Sequence, residues 1–286
     1  MKDLYIDVSH MAYRFLFANA RDIEAVGMNL LRHMLLKNGI LFYLNKFKPD
    51  RCFVCFDTKG SNWRYDVLPT YKGQRKANRE KHNIDWQEFF KLLEDFQTEL
   101  RDFFPIYSIK HDSLEADDII AHLVRNNQDR NKIIVTSDSD YVQLLKYRNT
   151  KLFDPMKNKF KVCESPRYEL EKKILTGDKS DNIPAIRPRC GEKTAEKLIE
   201  SGEIKKLLLE IDSDGNPGEI KRNYDRNKLL INLDDTPEEL LRELDDSLDE
   251  YQLSSTSKLF KYLTKYRLRD LFNEVSSVRQ TLSLLQ

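Results

Sequence analysis

The sequence predicts an α/β protein with a mostly parallel central sheet flanked by helices, followed by a helical C-terminal region. Three observations predict it. Short apolar and β-branched runs alternate with longer amphipathic stretches through the first 165 residues, the rhythm of βαβ units. The strand-like runs are apolar almost throughout, as in sheets covered on both faces. After about residue 165 the strand signal fades into short helical stretches separated by GDKSDNIP, RPRCG, SDGNPG and DDTP, all turn signals. Residues 1–165 and 166–286 are therefore expected to form an α/β unit and a helical one.

The elements follow in order. LYIDV (4–8) reads as a buried strand, and 28–47 carries apolar residues at helical spacing up to Pro49. RCFVCFD (51–57) is a second core strand, 85–104 a long amphipathic helix, PIYSIK (105–110) a strand and 113–127 a helix. KIIVT (132–136) is another strand, with a helix over 141–147. In such sheets functional residues gather at the carboxyl ends of the strands.

Composition removes several function classes. With 40% hydrophobic residues, including 15 Phe and 13 Tyr, the 286-residue chain can bury a core, which excludes wholesale disorder. No apolar run approaches the roughly 18 residues of a membrane span, so no membrane partner is expected. MKDLYIDVSH reads as neither signal nor transit peptide. Cys52, Cys55, Cys163 and Cys190 are too few and scattered for a disulfide framework, which suits a cytoplasmic setting. Cys52 and Cys55 have zinc-like spacing but sit in a strand, where buried packing is the better reading. Walker A, GxGxxG and GxSxG sequences are absent. The formal charge of +1 hides segregation. Seven cations from Lys59 to Lys81 face only Asp66 and Glu80, whereas nine acids between Asp234 and Glu250 face only Arg242.

Carboxylates cluster where the strands end. Asp7 lies in the first strand and Asp57 closes the second. Asp138 and Asp140 follow KIIVTS and, two apart in extended chain, point the same way. Glu115, Asp117 and Asp118 open a helix, whose positive end favours their ionised forms. Glu115 and Asp118 share a face as an i, i+3 pair, with Asp117 turned aside. Asp178 and Asp181 are three apart in GDKSDN. A single Asp in a strand is a cap or an ion-pair partner, but nine carboxylates on one edge repel one another unless cations neutralise them. No comparable set of Lys or Arg alternates with them, so hard divalent cations with oxygen ligands are expected, Mg²⁺ or Mn²⁺. Two ions about 3.5–4 Å apart would activate water and stabilise the leaving oxygen in phosphodiester hydrolysis.

The basic stretch between Asp57 and Asp85 interleaves Trp63, Tyr65 and Tyr71 with its cations, a composition that stacks bases and holds phosphates. A solvated loop is the alternative. At this point the order Asp7, FD at 56–57, YKGQR at 71–75, EADD at 115–118, TSDSD at 136–140 and GDKSDN at 177–182 resembles the flap endonuclease / 5′-nuclease family. It is similar in particular to the bacteriophage branch of T-even RNase H type, through WRYDVLPTYKGQRKANRE and ILTGDKSDNI. The likeness runs from Lys2 to about Ile199 and is weak beyond.

The resemblance implies a PIN-like 5′-nuclease core with a helical arch at about 58–85 and a C-terminal helix–three-turn–helix-like motif on duplex DNA. It implies a metal-dependent 5′→3′ exonuclease and flap endonuclease acting on 5′ flaps, nicks and RNA–DNA hybrids, and removing RNA primers during lagging-strand replication. By motif, Asp7, Asp57, Glu115, Asp117, Asp118, Asp138 and Asp140 hold two ions, with Asp178 and Asp181 completing the second site. Lys72 and Arg75 would act on the scissile phosphate. Arg64, Lys76 and Arg79 would contact nucleic acid, and Tyr71 would stack on a terminal base. Within 182–199, Arg187, Arg189, Gly191, Lys193 and Lys197 would meet duplex phosphates, although the family's earlier glycine is absent and Pro188-Arg189-Cys190 intervenes.

The tail 277–286 resembles the clamp-docking tails of replication proteins, with a last helix packed on the body as the favoured alternative. A single-strand-binding protein is the other expected partner, the chain acting as a monomer in the cytoplasm, the host's if it is phage-encoded. A PIN-type ribonuclease and a non-catalytic DNA-structure binder are the rival readings, and metal-dependent hydrolysis of a 5′ flap separates them.

Overall fold

Six short segments pair into one sheet in the computed structural model, which describes residues 1–58, 60 and 62–285. Lys59, which opens the basic run, and Gln286 lie outside the described residues. Strands β1 (Lys2–Asp7), β2 (Arg51–Phe56), β3 (Tyr107–Lys110), β4 (Asn131–Val135) and β5 (Thr150–Asp154) are parallel. The last strand, β6 (Lys159–Lys161), returns antiparallel at one edge. The order is β3-β2-β1-β4-β5-β6. Leu4, Tyr5 and Ile6 are wholly buried, as both-face coverage requires. The chain steps outward from β1 to β2 and β3, then crosses to β4 on the other side of β1. That reversal opens a crevice at the carboxyl ends of β1 and β4.

Helix α1 (Val8–Ala18) begins directly after β1, with Asp7 as its N-cap, and α2 (Ala20–Val26) follows; neither was expected. The helix expected over 28–47 is a run of α3 (Asn29–Met34), a π-helical stretch (Leu35–Leu41) and α4 (Phe42–Phe47). A Cβ at Gly39 would lie 2.5 Å from Met11 Sδ, so glycine lets this helix rest on α1. The basic segment carries α5 (Arg64–Val67) and α6 (Gln74–Arg79), followed by α7 (Trp86–Phe103) and α8 (Ala116–Asn126). The helix expected after β4 is a 3₁₀ stretch, Asp140–Lys146. Strands β5 and β6 lack the long apolar run of the others: TKLFD and KFK are short and carry lysines, and β6 is an edge strand.

The C-terminal helices are α9 (Pro166–Thr176), α10 (Glu192–Glu200), α11 (Glu203–Leu207), α12 (Glu219–Ile231), α13 (Glu238–Asp249), α14 (Leu259–Lys265), α15 (Arg269–Asn273) and α16 (Val275–Leu282). The pattern change near 165 coincides with Ser165, whose side chain caps α9. Packing does not divide there. Leu175, Ile186, Ala195, Leu198 and Ile204 form a small core of their own, whereas Leu241 and Leu244 of α13 join the core beneath α8. Leu259, Tyr262, Leu271 and Leu282 join the core beneath α1 and α7.

The acidic stretch 234–250 is thus largely α13, apolar on one face and charged on the other. Its Asp245 meets His122 at 2.6 Å and its Glu243 meets His111 at 3.2 Å. In the tail, Thr281 and Leu282 are buried, so this stretch packs on the body. Among the described residues no helix is long and apolar enough to cross a membrane.

Candidate active site

The crevice beside β1 is lined with carboxylates because β1, β2 and β4 each deliver one as they end. Asp7 closes β1, accepting the His10 amide at 2.9 Å and the Tyr141 hydroxyl at 3.1 Å. Asp57 follows β2. Its backbone N–H donates to Ser9 Oγ at 3.0 Å, and its carboxylate accepts the Ala116 amide at 2.9 Å. Asp138 follows β4 and accepts the Asp140 amide at 2.9 Å. Asp7, Asp57, Glu115, Asp117 and Asp138 line one cavity of about 440 Å³. Burial and then the neighbouring Asp57 push Asp7 up to about 8. Burial and Glu115 raise Asp57, and burial and Asp118 raise Asp117 well above the carboxylate range.

The N-terminus of α8 corrects two expectations. Asp118 is fully buried and forms a bidentate pair with Arg64, at 2.7 and 2.8 Å. It also accepts the Glu115 amide at 3.0 Å and the Thr236 hydroxyl at 2.9 Å. Four donors occupy its oxygens, so Asp118 has no lone pair to offer a metal. Arg64 is equally buried and spends its Nε on the Leu230 carbonyl at 3.0 Å, so it cannot meet nucleic acid. Asp117, not Asp118, faces the cavity. The i, i+3 relation of Glu115 and Asp118 is real, but it serves a reciprocal capping box.

Tyr71 is a third correction. It is 2% exposed, and its hydroxyl donates to Glu115 at 2.8 Å and reaches Asp181 at 3.2 Å, so its ring is not free to stack on a base. Lys72 pairs with Glu115 and approaches Asp181 at 3.9 Å. Burial alone would raise Glu115, but Lys72 and Arg64 hold it at about 2. Lys72 adopts a left-handed φ of 52° while its amide donates to the Asp181 carbonyl at 2.9 Å. Such strain persists only where surrounding contacts enforce it. Arg75 reaches Asp181 at 3.0 Å. Lys72, Arg75 and Arg79 line the 440 Å³ cavity and also a second one of about 610 Å³ on their other side. These cations therefore border both cavities, together with Asp57 and Glu115. Lys76 is exposed on α6 beside them.

A second acidic group lies one strand away. Ligand oxygens of Asp140, Asp178 and Asp181 all fall within 4.8 Å of one another. Gly177 makes the loop possible: at φ 71°, a Cβ would lie 2.3 Å from the Ile183 carbonyl oxygen, and Asp178 and Ile183 exchange backbone hydrogen bonds there. Lys173 of α9 pairs with Asp140 and meets Asp178 at 2.6 Å. Burial would raise Asp178, but Lys173 outweighs it and holds the carboxyl at about 2. No Lys or Arg alternates with the acids along the sequence, yet the fold brings cations to them. Arg64, Lys72 and Arg75 reach them from the basic segment, and Lys173 from α9. Lys173, Tyr141, Ser9 and Thr236 were missed; Tyr141 directly follows Asp140 and Lys173 lies one helical turn before GDKSDN, which is the only sequence signal they carry.

The residues expected to contact duplex lie in the loop after α9 and on α10. Arg189 and Gly191 line a groove of about 990 Å³ together with Asp140 and Asp178. Lys193 and Lys197 are exposed on α10, and Arg187 is half-buried.

Residues 2–179 match the family model of the 5′–3′ exonuclease N-terminal, resolvase-like domain. The chain is 31% identical to the ribonuclease H of Enterobacteria phage T4, over 95% of this chain and 94% of that protein. It is 29% identical to a 5′–3′ exonuclease of Buchnera aphidicola, over 73% and 74% of the two chains. The fold matches a bacteriophage T5 flap endonuclease solved with DNA and metal ions, at a TM-score of 0.67, 18% identity, and coverage of 87% and 98%. The chain belongs to the 5′–3′ exonuclease family of phosphodiester-hydrolysing nucleases.

Proposed function

We propose that this chain is a Mg²⁺-dependent 5′ nuclease that removes RNA primers and 5′ flaps during lagging-strand replication. One observation carries the reading: the acids at the strand ends share one cavity with Lys72 and Arg75, which also line a second. The relatives named ribonuclease H and flap endonuclease support the substrate class.

The donor set fits hard divalent cations, since every candidate ligand is a carboxylate. The upward push on Asp7, Asp57, Asp117 and Asp140 reflects buried negative charge that cations would relieve. Asp7, Asp57, Glu115, Asp117 and Asp138 would hold one ion, and Asp138, Asp140, Asp178 and Asp181 the other. Bound there, the ions would supply an acidified water and neutralise charge on the leaving oxygen. Lys72 and Arg75 would leave Glu115 and Asp181 for the scissile phosphate and stabilise charge developing on its oxygens. Tyr141 holds the Asp7 carboxylate in place. Lys76 and Arg79 would guide the strand entering the site, and Arg187, Arg189, Gly191, Lys193 and Lys197 the duplex. Action as a cytoplasmic monomer belongs to the same proposal. For a sliding clamp or single-strand-binding protein, the tail leaves Ser277, Arg279, Gln280, Ser283 and Leu284 exposed.

Cleavage of a 5′-flap DNA and of an RNA–DNA hybrid, with Mg²⁺ and with chelator, tests the reading. Both substrates should be cut only with metal, and Asp140→Ala should abolish cutting. Equal activity of the wild type and Asp140→Ala would refute the site.

A further inference from the structure

The β5–β6 hairpin, at the sheet edge beyond the acids, has no role in the site described so far. Between Arg148 and Val162 it carries Arg148, Lys151, Lys157, Lys159 and Lys161 against one acid, Asp154. That acid feels Lys161 but leaves the other cations without an ion-pair partner among the described residues. Asp154 is buried, and it accepts the Met156 amide at 2.8 Å and the Ser137 hydroxyl at 3.2 Å. Among the described residues, no carboxylate lies within ion-pair distance of Lys151, Lys157 or Lys159, all exposed. Uncompensated cations on one short hairpin repel one another, and a polyanion relieves that cost.

Placement selects the polyanion. Because β5 is parallel to β4, its turn projects from the same sheet edge as Asp138 and Asp140. Lys161 donates to the carbonyls of Ser137 and Asp138, at 3.2 and 3.3 Å, tying the hairpin to the loop that carries the acids. Lys159, two residues earlier on the strand, shares that face. The hairpin is also rigid. Phe160 packs on Phe153 at 5.3 Å, and Lys46 donates to Asn158 in the turn at 2.6 Å. From β1 to β6, which carries Lys159, is three strand spacings, about 14 Å. A duplex advances about 3.4 Å per nucleotide, so a backbone leaving the site on this side reaches the hairpin about four nucleotides away.

We propose that the β5–β6 hairpin, through Lys157 and Lys159, binds the phosphate backbone of the nucleic acid about four nucleotides from the scissile position. This rests on the nuclease reading, since a non-nucleic-acid substrate would put no phosphates there. The contact adds affinity without reading sequence.

The test is binding of a fluorescent 5′-flap DNA by the full chain in chelator, titrated against salt. Lys157→Gln/Lys159→Gln should bind several-fold more weakly and lower the slope of log affinity against log salt by about two, at roughly 0.9 per phosphate contact in duplex DNA. A control pair on another face, Lys205→Gln/Lys206→Gln, should keep the wild-type slope. Lys157→Arg/Lys159→Arg should restore it. If the wild type binds and the Gln pair binds with the same slope, the hairpin contact is refuted while the nuclease reading stands. If the Arg pair fails to restore what the Gln pair loses, the loss is not electrostatic and the proposal fails. If the wild type does not bind flap DNA, the nuclease reading itself fails.

Discussion

Arg64 and Asp118 form a buried, two-pronged ion pair beneath the acidic crevice, with hydrogen bonds of 2.7 and 2.8 Å. The pair joins three distant parts of the chain. Arg64 opens α5 in the basic segment, Asp118 lies in the first turn of α8, and Thr236 and Leu230 bring in the C-terminal helices. The same Asp118 carboxylate caps Glu115. Its function is therefore to fix the helix end from which Glu115 and Asp117 face the site.

Removing one partner of such a pair leaves the other charge buried and unpaired, a cost of about 3–5 kcal/mol. Arg64→Met and Asp118→Asn should each lower the thermal midpoint by about 10 °C, at roughly 2–4 °C per kcal/mol for a chain of this size. Asp117→Asn removes a carboxyl already driven toward its neutral form, and should abolish cleavage with almost no change in midpoint. Thermal denaturation of the three variants checks this; a large loss in Asp117→Asn alone would reverse the two roles.

Lys173 predicts a metal effect of unusual sign. It neutralises Asp140 and Asp178, so an incoming cation competes with it. Lys173→Met should bind Mn²⁺ about tenfold more tightly in the absence of nucleic acid, roughly one pK unit of electrostatic work. Titration followed by the paramagnetic signal of free Mn²⁺ measures it. Unchanged or weaker binding would show that Lys173 does not compete for the ion.

The crevice was legible in sequence because a general rule places it: carboxylates at the ends of parallel strands meet at a switch point. Asp7, Asp57 and Asp138 follow from it directly. What was not legible depended on partners far along the chain. Helical spacing identified Glu115 and Asp118 as sharing a face, but not that this face turns inward onto Arg64. The cations of YKGQR were visible, yet nothing local revealed that Tyr71 is buried or that Lys72 pairs with Glu115. The β5–β6 hairpin was lost because short, charged edge strands lack the apolar run that marked the other strands.

The metal-free protein should lose stability as pH rises. In the folded state Asp7 holds its proton up to about 8, whereas in the unfolded chain it ionises near 3.9. Between these values the folded state binds more protons, so stability falls with increasing pH. Glu115 and Asp178, held at about 2, act oppositely, and only below the ordinary carboxylate range. The thermal midpoint in chelator should therefore decline from pH 5 to pH 8.5, and saturating Mg²⁺ should abolish most of the decline. A flat profile in chelator would mean that Asp7 is ionised throughout.

Lys72 and Arg75 should separate in kinetics because they differ in burial. Lys72 is 11% exposed and locked between Glu115 and Asp181, whereas Arg75 is half exposed and touches only Asp181 among the acids. A buried, oriented cation stabilises transition-state charge more than a solvated one. Lys72→Met should lower kcat by about 10²–10³-fold, while Arg75→Ala should cost about tenfold and act mostly through KM. Lys72→Met also leaves Glu115 without its strongest partner, so that carboxyl should move up from about 2 and an acid limb that lies below the measured range in the wild type should rise toward pH 5. Arg75→Ala should leave the limb in place. Single-turnover cleavage of a 5′-flap DNA between pH 5 and 9 distinguishes the two, and equal kcat losses with unmoved limbs would place both cations outside the chemical step.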